Sequence, residues 1–492
     1  MSTSSLLDYY WEVNKELKYS PRQGIEDTLA LLENGSDVVF TAPTGYGKTT
    51  LTKVLGVASS KGNQLFDRVI HVLPFRGIVQ DLYSKLRDEK NKLGIKSVGA
   101  QDMDYHDAPY YLKKVNVTTL DSFILNLFKV PVDEFKRVIK GNGSHFEVPR
   151  GMIYSSVVIF DEFHLFAEEG RALSSTLSAI RALKNAMVPV VIMTATLTTQ
   201  MKDELLAMGF KHVHATDFHV DRRLRTEFVS DPVEAVEKGK KNLMVFNTRE
   251  GAIKAYVELK RRGHRPLLIH SKFNTQDRKK KVEELQKMSA DKSEYDVAVT
   301  TQVVEAGIDV SFDVLITEAC PADSLLQRAG RVARYGGDGV VKIFPFSGKV
   351  YDKEEVERTM REAERRGIDP AILSVLKRGV ERDMALEKSL EIIDSNVMFS
   401  ARTASDLMME MCSLTREVSL IPGFPPRTRD AQQAIPLTEY EARRLLPGKV
   451  VPYEGDEEDF QPHSQCLPVE LLKNGIEGVV IKGYDPEVGG II

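Results

Sequence analysis

Cysteine is scarce in this chain: there are three among 492 residues, and Cys320, Cys412 and Cys466 lie too far apart in sequence to form a CxxC pair. That spacing argues against zinc, an iron–sulfur cluster or a redox motif, and reads most simply as three buried thiols. A surplus of basic residues is also lacking. Lys and Arg number 67 against 71 Asp and Glu, a formal charge of -4, so any contact with a polyanion has to be local. No apolar run approaches the roughly 20 residues that span a bilayer. The opening residues, MSTSSLLDYYWEV, lack the basic-then-apolar order of a signal peptide, and a cytoplasmic location away from membranes is expected. Low-complexity sequence is absent.

What is present is 42% hydrophobic and 28% charged residues, enough apolar content for several large cores in two to four domains. Short β-branched runs alternate with amphipathic helical stretches, the pattern of parallel sheets covered by helices. Strands are expected near 37–41, 69–73, 115–118, 157–161, 190–194 and 212–215. After a charged segment at 221–227, a second series falls near 243–246, 267–270, 297–300, 314–317 and 340–344. Beyond about residue 347 the pattern changes to charged helix, a Pro-rich stretch and a short β-like end. The expected fold is α/β: two tandem parallel-sheet domains, 1–222 and 223–347, with a C-terminal accessory domain, 348–492. The acidic run at 454–459 reads as a solvated loop.

The stretch APTGYGKTT, Ala42 to Thr50, directly follows an apolar strand and precedes a helix. A Gly-rich turn there lets backbone N–H groups approach phosphate oxygens, and the helix N-terminus adds its dipole. Thr44, Gly45, Tyr46, Gly47, Lys48, Thr49 and Thr50 are the expected nucleotide contacts, with Lys48 on the β and γ phosphates and the Thr49 hydroxyl on Mg2+. The pair Asp161 and Glu162 ends the strand VVIF, where a carboxylate faces the same crevice as the phosphate loop. Asp161 can hold the metal and Glu162 can orient and deprotonate water. Thr194 and Thr196 sit at another strand end and can link Asp161 or His164 to a second ligand. In QRAGRVAR, Arg331 and Arg334 lie three apart, which on a helix puts both guanidiniums on one face. Such a pair can converge on one phosphate. A basic surface helix is the ordinary alternative.

Taken in order, these motifs resemble the superfamily 2 DExH-type helicases from Gln23 to Arg334, which implies two RecA-like domains. Within that group VTTLDSF, VFNT, IHSKF, TTQVVEAGIDV and LQRAGRVAR, with the tail YDPEVGGII, are similar to the helicase part of the CRISPR-associated type I helicase-nuclease family. The resemblance implies that Gln23 reads adenine and that Gln327, Arg331 and Arg334 complete an ATP site with Gly307 and Asp309. It also implies strand contacts from Pro74, Arg76, Thr119, Asp121, Asn247, Thr248, Thr301 and Gln302, mostly to the backbone and hence with little base specificity. ATP and Mg2+ are the implied cofactors, and single-stranded DNA, with RNA possible, the implied substrate. Travel from 3′ to 5′ is implied as well.

The histidine-aspartate nuclease domain that precedes the helicase in two-activity family members is not expected here. Only about twenty residues precede Gln23, and His106-Asp107 reads as a loop coincidence. The implied partners are therefore a separate nuclease subunit and a guide-RNA effector complex. His212, His214 and His219, with Asp217 and Asp221, form a second metal candidate, but the spacing fits no common ligand pattern and a polar strand end is the simpler reading. Two rival functions stay open: a general superfamily 2 DNA or RNA helicase, and a nucleotide-gated binding subunit that does not unwind.

Overall fold

A computed structural model describes residues 4–43, 45–102, 106–167, 169–218, 220–305, 308–348, 350–375, 381–395, 400–415 and 420–492. The chain forms two compact units, residues 1–219 with 379–419 and residues 220–378 with 420–492.

The first unit is built on seven strands: β1 (Val38–Thr41), β2 (Arg68–Leu73), β3 (Val98–Gln101), β4 (Val115–Thr119), β5 (Ser156–Phe160), β6 (Val190–Thr194) and β7 (Lys211–His214). They pair in the order β3-β4-β2-β5-β6-β1-β7, every pair parallel. Runs such as VVFT and SVVIF are buried along their whole length, as expected of parallel strands with helices on both faces. β1, β6, β5, β2 and β4 are consecutive neighbours. The motifs that follow them therefore share one edge of the sheet, outside the strand carboxyl ends where open α/β sheets bind ligands.

The second unit repeats the plan with β8 (Arg222–Phe228), β9 (Asn242–Val245), β10 (Pro266–Ile269), β11 (Val297–Thr300), β12 (Val314–Glu318) and β13 (Gly337–Phe344), ordered β10-β11-β9-β12-β13-β8 and again all parallel. The expectation of two tandem parallel-sheet domains with further helical and strand regions is met. Within these two parallel sheets, two strands escaped the sequence pattern. β3 is only four residues, VGAQ, and its glycine reads as a breaker. β8, expected as part of a charged connector, is the sheet's edge, where exposed and half-buried residues alternate and charge costs little.

The remaining chain is shared between the units. Helix Lys353–Arg366 buries Val356 and Ala363 in the second core. Helices Met384–Ser395 and Ala401–Met411 return to the first unit, tied by Arg171–Asp383, Arg181–Glu387 and Arg150–Asp394 ion pairs of 3.2, 2.8 and 3.0 Å. A five-stranded mixed sheet, β14 (Leu420–Phe424), β15 (Ile435–Thr438), β16 (Gly448–Pro452), β17 (Glu458–Phe460) and β18 (Ile476–Val480), and the hairpin β19 (Gly483–Asp485) and β20 (Gly489–Ile491) join the second unit. Part of the acidic run thus forms β17 rather than a loop. Cys320 is a buried free thiol, as read from the sequence. Among the described residues no helix is long and apolar enough to cross a membrane.

Candidate nucleotide and strand site

At the end of β1 the chain turns through Gly45 and Gly47, with φ of +87° and +94°, a region open to glycine at little cost. It then enters helix Thr49–Lys61. Thr44 lies outside the described residues. Lys48 is buried, and among the described residues its hydrogen bond runs from Nζ to the Ala42 carbonyl at 2.9 Å, which leaves ammonium donors for phosphate oxygens. Thr49 is exposed and Thr50 buried. Tyr46 points inward: its hydroxyl accepts the Gly24 N–H at 2.9 Å and donates to Asp217 Oδ1 at 2.5 Å. Burial, then the Asp217 hydrogen bond, pushes the Tyr46 phenol well above its ordinary range. The other Asp217 oxygen accepts the Gln23 N–H at 2.8 Å. Tyr46 and Asp217 thus pin the phosphate loop to the start of helix Gln23–Glu33, whose exposed Gln23 side chain bonds Asp27 at 2.8 Å.

Asp161 follows β5, buried at 6% exposure. Its Oδ1 accepts the Glu162 N–H at 2.8 Å and its Oδ2 lies 3.2 Å from His71 Nε2. Burial alone would raise its carboxyl pKa; the His71 hydrogen bond and the Lys48 charge outweigh it and hold the group below the ordinary 3.8. Glu162 adopts φ 53°, ψ 44°, a left-handed conformation that costs a non-glycine residue on the order of 1–3 kcal/mol and clusters at functional sites. His164 Nδ1 lies 3.6 Å from Glu162 Oε2 and 3.0 Å from Thr194 Oγ1, and Thr194 donates to the Thr196 carbonyl at 2.6 Å. Thr194 reaches His164, whereas the Asp161 side chain meets His71. Neither His71 nor Thr52, which bonds His71 Nδ1 at 2.7 Å, was singled out in the sequence. The one signal was a histidine inside the otherwise apolar strand VIHVL.

Of the expected strand contacts in this unit, Pro74 is buried and Arg76 half-buried. Thr119 caps helix Leu120–Leu127 by accepting the Ser122 N–H, and Asp121 accepts a hydrogen bond from Thr415.

In the second unit, helix Ala322–Ala329 ends before the arginines. Ala333 at φ +44° turns the chain away, so Arg331 and Arg334 do not share a helix face as expected. The backbone turn wins because Phe312 and Val332 pair in a parallel bridge. Arg331 donates to the Val304 and Glu305 carbonyls at 3.0 and 2.7 Å, and Arg334 Nε lies 2.9 Å from Asp309. Gln327 Oε1 is buried with no hydrogen-bond partner among the described residues. Gly307 lies outside them. Arg328, which the sequence did not single out, is fully buried, bonded to Glu305, Thr317 and Asn247 at 2.7, 2.9 and 2.9 Å. Asn247 is therefore buried with both ends of its amide taken, the other by the Ala319 carbonyl. Gln302 donates to the Asn247 carbonyl at 2.9 Å. Thr248 caps helix Arg249–Arg261, and Thr301 is buried.

The histidine cluster near β7 does not assemble as a metal site. His212 Nε2 bonds Thr41 Oγ1 at 2.8 Å, and Asp217 is occupied as above; His219 lies outside the described residues. Asp107 is spent on Tyr83 and the Ala100 N–H. Among the described residues no group of three or more His, Cys, Asp or Glu could hold a metal ion.

Two parallel sheets, with a phosphate-type loop and an acidic pair on one sheet's carboxyl edge, define the fold class of the RecA-like helicases. Residues 23–204 match the family described as DEAD/DEAH box helicase, and residues 238–337 match CRISPR-associated nuclease/helicase Cas3, C-terminal. The CRISPR-associated helicase Cas3 of Thermoproteus tenax is 27% identical over 341 residues, covering 66% of this chain and 59% of the relative. The putative CRISPR-associated nuclease/helicase Cas3 of Methanocaldococcus jannaschii is 26% identical over 332 residues, 61% of this chain and 43% of the relative. The crystal structure of T. fusca Cas3-ADP superposes with a TM-score of 0.68 at 16% identity, over 98% of this chain and 71% of that one. The chain resembles the Cas3-type superfamily 2 helicases and spans about half the length of these curated relatives.

Proposed function

We propose that this chain is an ATP-dependent single-stranded DNA translocase and helicase, moving 3′ to 5′ and acting in CRISPR type I interference beside a separate nuclease subunit and a guide-RNA effector complex. The observation that carries the reading is the convergence of buried Lys48 and Asp161 and half-buried Glu162 on one sheet edge, in a chain whose two halves match a helicase family and a Cas3 family in that order.

The donor set fits a magnesium nucleotide. The loop amides of Gly45 and Gly47 and the Lys48 ammonium would hold phosphates, Thr49 and Asp161 the metal, and Gln23 the adenine. Bound Mg2+ would neutralise charge on the β and γ oxygens. Glu162 would orient water and take its proton, and the family resemblance implies that Gln327, Arg331, Arg334 and Asp309 take part in the same reaction, as does Gly307, which lies outside the described residues. His164, Thr194 and Thr196 pass the nucleotide state to the strand-contact residues. Thr119, Asp121, Thr248, Thr301, Gln302, Pro74 and Arg76 would contact the strand; Asn247 supports them from within the Arg328 network.

The test is ATP hydrolysis by the purified chain with and without single-stranded DNA or RNA. Stimulation by DNA is expected, and tight strand binding with negligible turnover would sink the motor reading in favour of a nucleotide-gated clamp. A helicase outside CRISPR defence is the second reading, favoured by the general helicase family matched over residues 23–204; stimulation by RNA alone would select it.

A further inference from the structure

His71 and Thr52 belong to neither the phosphate loop nor the acidic pair, yet both are completely buried between them. Thr52 lies in the first turns of helix Thr49–Lys61, directly behind Lys48 and Thr49, and His71 in the middle of β2, adjacent to β5. The Thr52 hydroxyl is 2.7 Å from His71 Nδ1, and His71 Nε2 is 3.2 Å from Asp161 Oδ2. A carboxylate only accepts, so Nε2 carries the proton of that bond; in the neutral ring Nδ1 then accepts from the Thr52 hydroxyl. Removing the hydroxyl would free the ring to take the other tautomer, which aims a lone pair at the carboxylate.

We infer that Thr52 and His71 are positioning residues that set the orientation of Asp161 for the divalent metal of a bound nucleotide and tie it to the phosphate-loop helix. The inference rests on the nucleotide-site reading above. Oδ2 is held from behind by the imidazole and Oδ1 by the Glu162 N–H, so the carboxylate plane is fixed before any ligand arrives. The remaining lone pairs are the ones offered to a cation. Because Thr52 is in the helix that begins at Thr49, the two metal-facing groups, the Thr49 hydroxyl and Asp161, are held in register by this buried chain. Partners of this kind behind a metal ligand change metal affinity by about 10- to 100-fold when lost.

The experiment is binding of Mn2+, as a spectroscopically visible substitute for Mg2+, to the full chain with ADP, followed by electron paramagnetic resonance. Thr52→Val removes the hydroxyl at nearly constant shape and Thr52→Ser keeps it. His71→Gln places an amide N–H near the position of Nε2; His71→Asn is too short to reach Asp161. Thr52→Val and His71→Asn are expected to weaken Mn2+ binding by about 10-fold or more, with Thr52→Ser and His71→Gln retaining it to within about threefold and ADP binding without metal unchanged in all four. Equal Mn2+ affinity across the set overturns the relay, as does a loss that tracks melting temperature whichever hydrogen bond is kept. If His71→Asn does not fold, the Thr52 pair decides alone. A wild-type chain that binds no Mn2+ with ADP overturns the nucleotide-site reading together with the relay, whereas wild-type binding with unchanged variants removes the relay only.

Discussion

Under the proposed function, Lys48 and Glu162 carry chemistry that no neutral side chain replaces. A buried ammonium at the mouth of a glycine turn has no neutral counterpart, so Lys48→Ala is expected to lose ATP turnover and nucleotide binding together, as measured by a phosphate-release assay and nucleotide titration. Glu162→Gln keeps shape and removes the proposed base; turnover should fall by about 10²- to 10⁴-fold with nucleotide binding retained. Unimpaired turnover in that variant would remove the assignment. Tyr46 is a different case, because its hydroxyl serves architecture. Tyr46→Phe strands the buried Gly24 N–H and removes the hydrogen bond to Asp217, and should lower the urea unfolding free energy by about 1–3 kcal/mol. The identities of Lys48, Asp161 and Glu162 were legible from motif and strand context. That Tyr46 turns inward was not, since the partner that satisfies it, Asp217, lies 171 positions away.

Among elements, the C-terminal hairpin β19–β20 shows how a short segment is held. His270, buried after β10, has its Nε2 3.1 Å from the Val488 carbonyl and accepts the Lys272 N–H at Nδ1, while Tyr484 donates to Asp277 at 2.7 Å. Burial, reinforced by the Arg249 charge, pushes the His270 pKa down from 6.5 to about 4. The fold therefore prefers the neutral ring. Its contribution is complete above pH 6.5 and is lost as pH falls through the window from 6.5 to about 4, below which both states are protonated. The second unit should lose roughly 2 kcal/mol between pH 7 and 5 from this group, and His270→Gln should flatten that part of the denaturation profile. A slope unchanged by the substitution would assign the effect elsewhere. Phe273 stacks on it from three positions away, but the Val488 carbonyl that its ring meets arrives from the last ten residues, which no local pattern announces. Strands told the opposite story: β6 and β11 were readable to the residue because continuous β-branched runs have few other places to go, while β3 and β8 lacked such runs.

For the whole molecule, residues 379–419 return to the first unit after the chain has built the second sheet. Ending the chain at residue 347 would strip Arg150, with its side chain 7% exposed, of its Asp394 partner and uncover the surfaces beneath helices Met384–Ser395 and Ala401–Met411. Such a truncation is expected to aggregate or to bind a hydrophobic dye strongly, where the full chain does not; a soluble, cooperatively melting product would contradict this. Strand binding tests the electrostatics at the same scale. With a formal charge of -4, attraction must come from local contacts, so affinity for single-stranded DNA should fall with salt at a log–log slope of about -0.7 per phosphate neutralised. A salt-independent affinity would argue against backbone contacts.

The sequence by itself determined the two parallel sheets, the glycine turn at Gly45 and Gly47, and the acidic pair at the end of β5, because these depend on residue type and on neighbours within a few positions. The tertiary structure alone decided that Arg331 and Arg334 leave the helix, that Asn247 is consumed by Arg328, and that His71 backs Asp161. Those outcomes are hydrogen-bond satisfaction among buried groups from distant segments, and a linear pattern carries no record of which partners the fold will bring within hydrogen-bond reach.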